Sequence, residues 1–141
     1  MIWFKEVDLT SVNQIGAKTM SSHLGIEVLE IGKDFIKASM PVDERTKQPY
    51  GILHGGASVA LAETLGSYGS HLIINSSKFI AVGLEINANH IRKATYGNVY
   101  GMAKPIHIGK TTHVWGIEIN DEKGLLIFIC RLTVAILSKK D

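Results

Sequence analysis

One segment dominates what this chain can fold into. From about His54 to Ile74 runs a helix-length stretch that is apolar or small on nearly every side, and between Gly55 and Gly69 only Ser58, Glu63, Thr64, Ser67 and Tyr68 interrupt it. A helix that is apolar nearly all round must be buried on most sides. Strand-like runs precede it at about 25–31 and 34–41 and follow it at about 79–92, 98–108, 112–120 and 125–137. Between them stand the turn signals Gly32-Lys33-Asp34, Ala94-Thr95-Tyr96-Gly97, Gly109-Lys110-Thr111 and Asp121-Glu122-Lys123-Gly124. Two strands, one long helix and four strands predict an α+β domain, with an antiparallel sheet wrapped around a central helix. One sheet covers only one side of such a helix, so a second copy of the chain is expected over the rest. A short N-terminal helix is expected over 9–20, capped by Asp8 or Thr10. With no repeat or linker, residues 1–141 read as a single domain.

Charge and composition narrow the function classes. The formal net charge is only +2, which gives no field suited to nucleic acid as the main partner. The start, Met-Ile-Trp-Phe-Lys-Glu-Val-Asp, lacks the basic-then-apolar order of a signal peptide, and no apolar run reaches transmembrane length. No membrane partner is expected. The single cysteine, Cys130, sits in a strand-like apolar run and reads as core. One cysteine allows no intrachain disulfide, in keeping with a cytoplasmic location.

The carboxylate inside the long helix is the candidate reactive group, because Glu is rarely buried without a partner or a task. On a 100° wheel Gly56, Ala60, Glu63, Ser67 and Ser70 share one narrow stripe, with Leu61, Leu65, Tyr68 and Leu72 roughly opposite. The stripe reads as a small-walled groove with a carboxylate midway. Ser67, four residues on, can hydrogen-bond Glu63 and fix its direction. Taken alone, Glu63 would serve equally as a solvated or ion-paired helix residue. The glycine-lined stripe favours a site. Ahead of it lie Gln48, His54, Gly55 and Gly56, an amide, an imidazole and backbone N–H groups at a positive helix end. Nine residues of helix separate His54 from Glu63 by ~13 Å. Both cannot contact one reacting carbon from the same helix, so an active site shared between subunits is expected.

Gln48-Pro-Tyr-Gly51, Leu53-His-Gly-Gly-Ala-Ser58, Leu61-Ala-Glu63 and Gly83-Leu-Glu-Ile-Asn-Ala-Asn-His90 resemble the hotdog-fold acyl-CoA thioesterases. The branch is the one typified by phenylacetate-pathway and 4-hydroxybenzoyl-CoA thioesterases. Within it, the likeness is to the subgroup acting on 1,4-dihydroxy-2-naphthoyl-CoA in menaquinone biosynthesis, and it covers nearly the whole chain. The resemblance implies that Glu63 is nucleophile or general base, supported by Ser67. The Gly55 N–H would hold the developing oxyanion, with Gln48 and His54 completing the polar cage. Attack by Glu63 through a mixed anhydride and attack by water assisted by Glu63 both remain open. For the coenzyme A part of the substrate, the resemblance implies Gly83 beside the pantetheine arm. His90, Arg92 and the turn His107, Gly109, Lys110, Thr111 and Thr112 would face the nucleotide phosphates. It implies no metal, no cofactor beyond the substrate's own coenzyme A, and a homo-oligomer, either a dimer or a dimer of dimers (a homotetramer). Tyr68 departs from the small aliphatic residue more often found there, and with Tyr50 it would narrow the acyl end. The acyl group expected is aromatic, of the 1,4-dihydroxy-2-naphthoyl or benzoyl type, or medium-chain. A catalytically silent acyl-CoA-binding hotdog module is the competing function.

Overall fold

The computed structural model describes residues 1–140. Its elements are α1 (Leu9–Ile15), α2 (Met20–His23), β1 (Glu27–Ile31), β2 (Ile36–Pro41), α3 (Gly55–Ile73), β3 (Phe79–His90), β4 (Asn98–Ile108), β5 (Thr112–Asn120) and β6 (Leu126–Ser138). The six strands form one sheet in the order β1-β2-β4-β5-β6-β3, every neighbouring pair antiparallel. The connection from β2 through α3 to β3 therefore crosses the whole sheet and lays the helix in its concave face. This is the expected α+β architecture, a hotdog.

The core forms where α3 meets the sheet. Leu61, Ala62 and Leu65 are fully buried against strand residues that alternate inward, among them Val99, Ala103, Trp115, Ile117, Phe128 and Leu132. Gly66 and Gly69 face the largest of these. A Cβ on Gly69 would stand 2.5 Å from the Trp115 ring, and one on Gly66 would stand 2.4 Å from Leu132 Cδ2. The two glycines thus let the helix lie down on the sheet. Their closeness draws the neighbouring Ser70 inward to 0 % exposure. Ser70 belongs to the core, contrary to the groove position read from the wheel.

The N-terminal helix expected over 9–20 is two helices, broken at Gly16–Thr19, where Lys18 adopts φ +58°. The break has a tertiary cause. Tyr68 of α3 packs against Gly16 so closely that a Cβ there would lie 2.5 Å from its hydroxyl. Asp8 caps α1 by accepting from the Ser11 N–H at 2.9 Å, and Thr19 caps α2.

The two sheet edges are treated differently. On β1, the Asn13 amide mimics a strand residue, accepting from the Val28 N–H at 2.8 Å and donating to its carbonyl at 3.0 Å. That edge is blocked at Val28. On β3 the free edge runs for 12 residues, with Ile80, Val82 and Leu84 at 40 %, 44 % and 65 % exposure. Open apolar edges of this kind are templates for another strand. No helix among the described residues is long and apolar enough to cross a membrane.

Candidate active site

The loop ahead of α3 is fixed from below by Thr46, 1 % exposed, whose hydroxyl donates to the Pro41 carbonyl at 2.7 Å. The Thr46 carbonyl accepts from the His54 N–H at 2.8 Å, and the Leu53 N–H bonds the Ala94 carbonyl at 2.8 Å. These bonds hold two functional side chains in place. Gln48 turns its Oε1 onto the Tyr50 N–H, which leaves its amide N–H groups free to donate. His54 is the N-cap of α3, its Nδ1 accepting from the Gly56 N–H at 2.7 Å. A ring that accepts at Nδ1 carries its proton on Nε2, directed away from the helix.

The first turn of α3 then has one donor to spare. The Gly56, Ala57 and Ser58 N–H groups all bond to His54, whereas the Gly55 N–H has no partner among the described residues. It is a free N–H at the positive end of a 19-residue helix. The His90 ring packs beside Gly55, where a Cβ would lie 2.8 Å from His90 Cε1. His90 is held in turn by a tilted contact with Phe128, ring centroids 5.4 Å apart. Gln48, Gly55, His90 and Arg92 line a single cleft of about 360 Å³ together with Ser58 and Lys93. Arg92 is anchored there by donating to the Leu126 carbonyl at 2.8 Å.

Glu63 lies elsewhere, midway along α3 and half-buried. Its Oε1 accepts from Ser67 Oγ at 3.3 Å. It reaches across to β3, where the missing side chain of Gly83 makes its room: a Cβ on Gly83 would stand 2.0 Å from Glu63 Oε1. The backbone carries a bulge between Gly83 and Glu85 at this point. The two ion pairs among the described residues, Lys37–Glu30 and Arg45–Asp43, leave Glu63 without a cationic partner. Nearby Cys130 is not a competing nucleophile. Burial, and to a lesser degree the Glu63 charge, pushes its thiol up to about 12, so it stays protonated at neutral pH.

One protomer therefore holds the expected residues in three places. Gln48, His54, Gly55, His90 and Arg92 gather at the helix N-terminus. Glu63, Ser67 and Gly83 gather at the middle of β3. The turn carrying His107, Gly109, Lys110, Thr111 and Thr112 lies at the opposite end of the molecule from His90, because β5 begins beside Ser70 in the last turns of α3. Within one chain, then, His90 and Arg92 stand apart from that turn. Tyr50 and Tyr68 are likewise apart. Tyr50 is 90 % exposed on the loop, and Tyr68 rests on Gly16. Sequence reasoning passed over Ser58 and Lys93 as cleft residues. The only signal for Lys93 was its adjacency to Arg92 at a strand end. Among the described residues no group of three or more His, Cys, Asp and Glu side chains gathers as a metal site would.

Comparison with known proteins gives the family. Residues 50–128 match the Thioesterase superfamily. The chain is 51 % identical to the 1,4-dihydroxy-2-naphthoyl-CoA hydrolase of Escherichia coli K12, over 97 % of this chain and 100 % of that one. It is 44 % identical to the proofreading thioesterase EntH of Cronobacter turicensis, over 97 % and 99 %. A thioesterase from Pseudomonas aeruginosa, solved as a glutamine-to-alanine variant, superposes with a TM-score of 0.97 at 43 % identity, covering 99 % of this chain and 100 % of that one. The chain belongs to the thioesterase superfamily and is an acyl-CoA thioesterase of the hotdog fold.

Proposed function

We propose that the protein hydrolyses an aromatic or medium-chain acyl-CoA in a site completed by two copies of the chain. The observation that carries this reading is the unpartnered Gly55 N–H, eight residues and ~12 Å along the same helix from the free carboxylate of Glu63. An oxyanion donor must lie about 3 Å from the carbonyl oxygen, and the attacking group about as close to the carbon. Neither group can meet its counterpart within one chain.

The open edge of β3 supplies the means. Glu63 ends at Gly83 on that edge, so a second copy added there by strand pairing covers the carboxylate and brings its own helix alongside. Gly55 of one copy then polarises the thioester carbonyl while Glu63 of the other attacks the carbon or takes a proton from attacking water. Gln48 and His54 Nε2–H orient the thioester, and Ser67 steadies the carboxylate. Arg92 and Lys93 at one end and Lys110 at the other are phosphate donors for the nucleotide. Association of two dimers through the outer sheet face, where Ile106 and Ile129 are 65 % and 39 % exposed, accounts for a homotetramer. The similarity to the Escherichia coli hydrolase supports 1,4-dihydroxy-2-naphthoyl-CoA as the first substrate to assay, and with it a role in menaquinone biosynthesis.

Complementation tests the shared site. Glu63→Ala and Gly55→Pro each abolish thiol release from acyl-CoA; proline suits the first helical position but carries no N–H. A mixed dimer of the two has one intact site and one doubly damaged one. Random mixing makes half the dimers mixed, so about a quarter of wild-type activity should return. Two folded, verifiably mixed variants that stay inactive would refute the shared site. Acyl-CoA binding without hydrolysis, indifferent to Glu63→Ala, would instead favour a silent binding module.

A further inference from the structure

The chemistry assigned above gives the thioester oxygen a backbone donor, the Gly55 N–H, and leaves His90 without a task. His90 ends β3, where it pairs with Phe128 of β6. Its ring meets the Phe128 ring at a tilt of 57°. The chain beyond it is gripped as well, since the Ile91 and Arg92 N–H groups both donate to the Ile127 carbonyl, at 2.7 and 3.2 Å. The ring is thus held from the sheet, independently of the loop that carries Gln48 and His54.

What the ring turns toward α3 is its nitrogen-bearing edge. A Cβ built on Gly55 would lie 2.8 Å from His90 Cε1, 3.0 Å from Nε2 and 3.4 Å from Nδ1. Either neutral tautomer carries its N–H on that edge. The imidazole hydrogen bonds among the described residues belong to His54 and His113, so both nitrogens of His90 are unused. A glycine's own nitrogen stands ~2.5 Å from the place of a Cβ, which puts Nε2 within ~5.5 Å of the Gly55 nitrogen. One oxygen accepting at ~2.9 Å from each can bridge that gap. Gly55 and His90 line the same cleft, and none of its lining residues is acidic. Negative charge that develops there meets only donors and cations.

We propose that His90 is a second oxyanion donor: its ring N–H and the Gly55 N–H together hold the thioester oxygen as it gains negative charge. The inference rests on the reading that this oxygen meets Gly55, and it gives His90 a task other than the nucleotide phosphates. Two substrates separate the two tasks: benzoyl-CoA, and S-benzoyl-N-acetylcysteamine, which has the same thioester without the nucleotide. His90→Phe keeps a ring against Phe128 but carries no N–H. Losing one oxyanion donor should lower kcat for benzoyl-CoA on the order of 100-fold, with KM within about twofold, and lower kcat/KM for the truncated substrate equally. His90→Ala should do the same and replaces it if that variant does not fold. His90→Gln, which returns an N–H, should recover about tenfold of the loss. An unchanged kcat would overturn the proposal, as would a raised KM for benzoyl-CoA with the truncated substrate unaffected. Infrared spectra of carbonyl-labelled benzoyl-CoA, bound to the Glu63→Ala chain, read the oxygen directly. Adding His90→Phe should raise the carbonyl stretching frequency, because a hydrogen bond to the oxygen is lost; a purely structural role would leave it where it was. Gly55→Pro on the same background tests the reading beneath. If that change leaves the frequency alone, the oxygen does not meet Gly55 and both fall. If it raises the frequency while His90→Phe does not, only the role of His90 falls.

Discussion

Gly83→Ala is the most searching single-atom test of where Glu63 works. A Cβ built on Gly83 stands 2.0 Å from Glu63 Oε1 and 2.9 Å from its Cδ. Ordinary contact begins near 3.4 Å, so the carboxylate must retreat by about 1.4 Å. The obstacle is the end of a flexible side chain, so the fold yields cheaply. An off-rotamer glutamate costs about 1 kcal/mol, and replacing a strand glycine by alanine returns roughly 0.5–1 kcal/mol. Stability should therefore change by no more than about 1 kcal/mol. Catalysis should not be spared, since a displacement of about 1 Å from productive geometry can cost on the order of 100-fold. The 3.3 Å bond from Ser67 is lost in the same movement.

The assay is thiol release under saturating acyl-CoA, with thermal unfolding as the control. We expect kcat to drop about 100-fold or more. Because Glu63→Ala leaves no turnover to lose, the double variant is read by acyl-CoA affinity: Gly83→Ala on the Glu63→Ala background should leave Kd unchanged, because the damage passes through the carboxylate. A Gly83→Ala enzyme with wild-type kcat would refute the placement of Glu63 at the reacting carbon. A weaker Kd in the double variant than in Glu63→Ala alone would show that the methyl group acts on something other than Glu63, such as a pantetheine arm crossing the same glycine.

Two further predictions follow from side chains with a double life. His54 is both helix cap and cage residue, so His54→Ala should cost about 1 kcal/mol of stability as well as activity, whereas His54→Asn should keep the cap and lose only activity; paired thermal melts and rate assays check this. Cys130 is 6 % exposed with its thiol near pKa 12 against an ordinary 9.0, so it should resist iodoacetamide at pH 8 until denaturant is added. Because the unfolded chain releases that proton first, stability should fall as pH rises from about 9 toward 12, and Cys130→Ala should flatten that slope in alkaline melts.

The element order was legible because the helix is apolar over a long run and each strand ends at a turn signal. Glu63 stood out as a carboxylate set in a largely small and apolar helix. Non-local features escaped. The break between α1 and α2 depends on the Tyr68 hydroxyl meeting Gly16, a contact between residues 52 positions apart in the chain. A helical wheel treats all faces alike, and so it set Ser70 in the groove. Gly66 and Gly69 decide otherwise by admitting Trp115, and nothing in local spacing says which large residue will come to a glycine. The resemblance set His90, Arg92 and the 107–112 turn together against the nucleotide; their separation within one chain depends on strand register, fixed only when all six strands pair.

The treatment of the two sheet edges links this architecture to the chemistry. The β1 edge is blocked at Val28 by the Asn13 amide, which satisfies that residue's N–H and carbonyl. The β3 edge keeps 12 residues open, and it is the edge on which Glu63 ends. A carboxylate left there in a monomer would be solvated, and water would weaken both its nucleophilicity and any interaction with a developing charge. In the proposed dimer, closing that edge with another chain would remove the water and deliver the N–H that Glu63 lacks in one event. On that proposal, the helix that is too apolar for a single sheet and the carboxylate that is too far from the Gly55 N–H are two consequences of one arrangement. Each protomer leaves α3 and the β3 edge uncovered, and the proposed second copy would cover them where the proposed chemistry needs a partner.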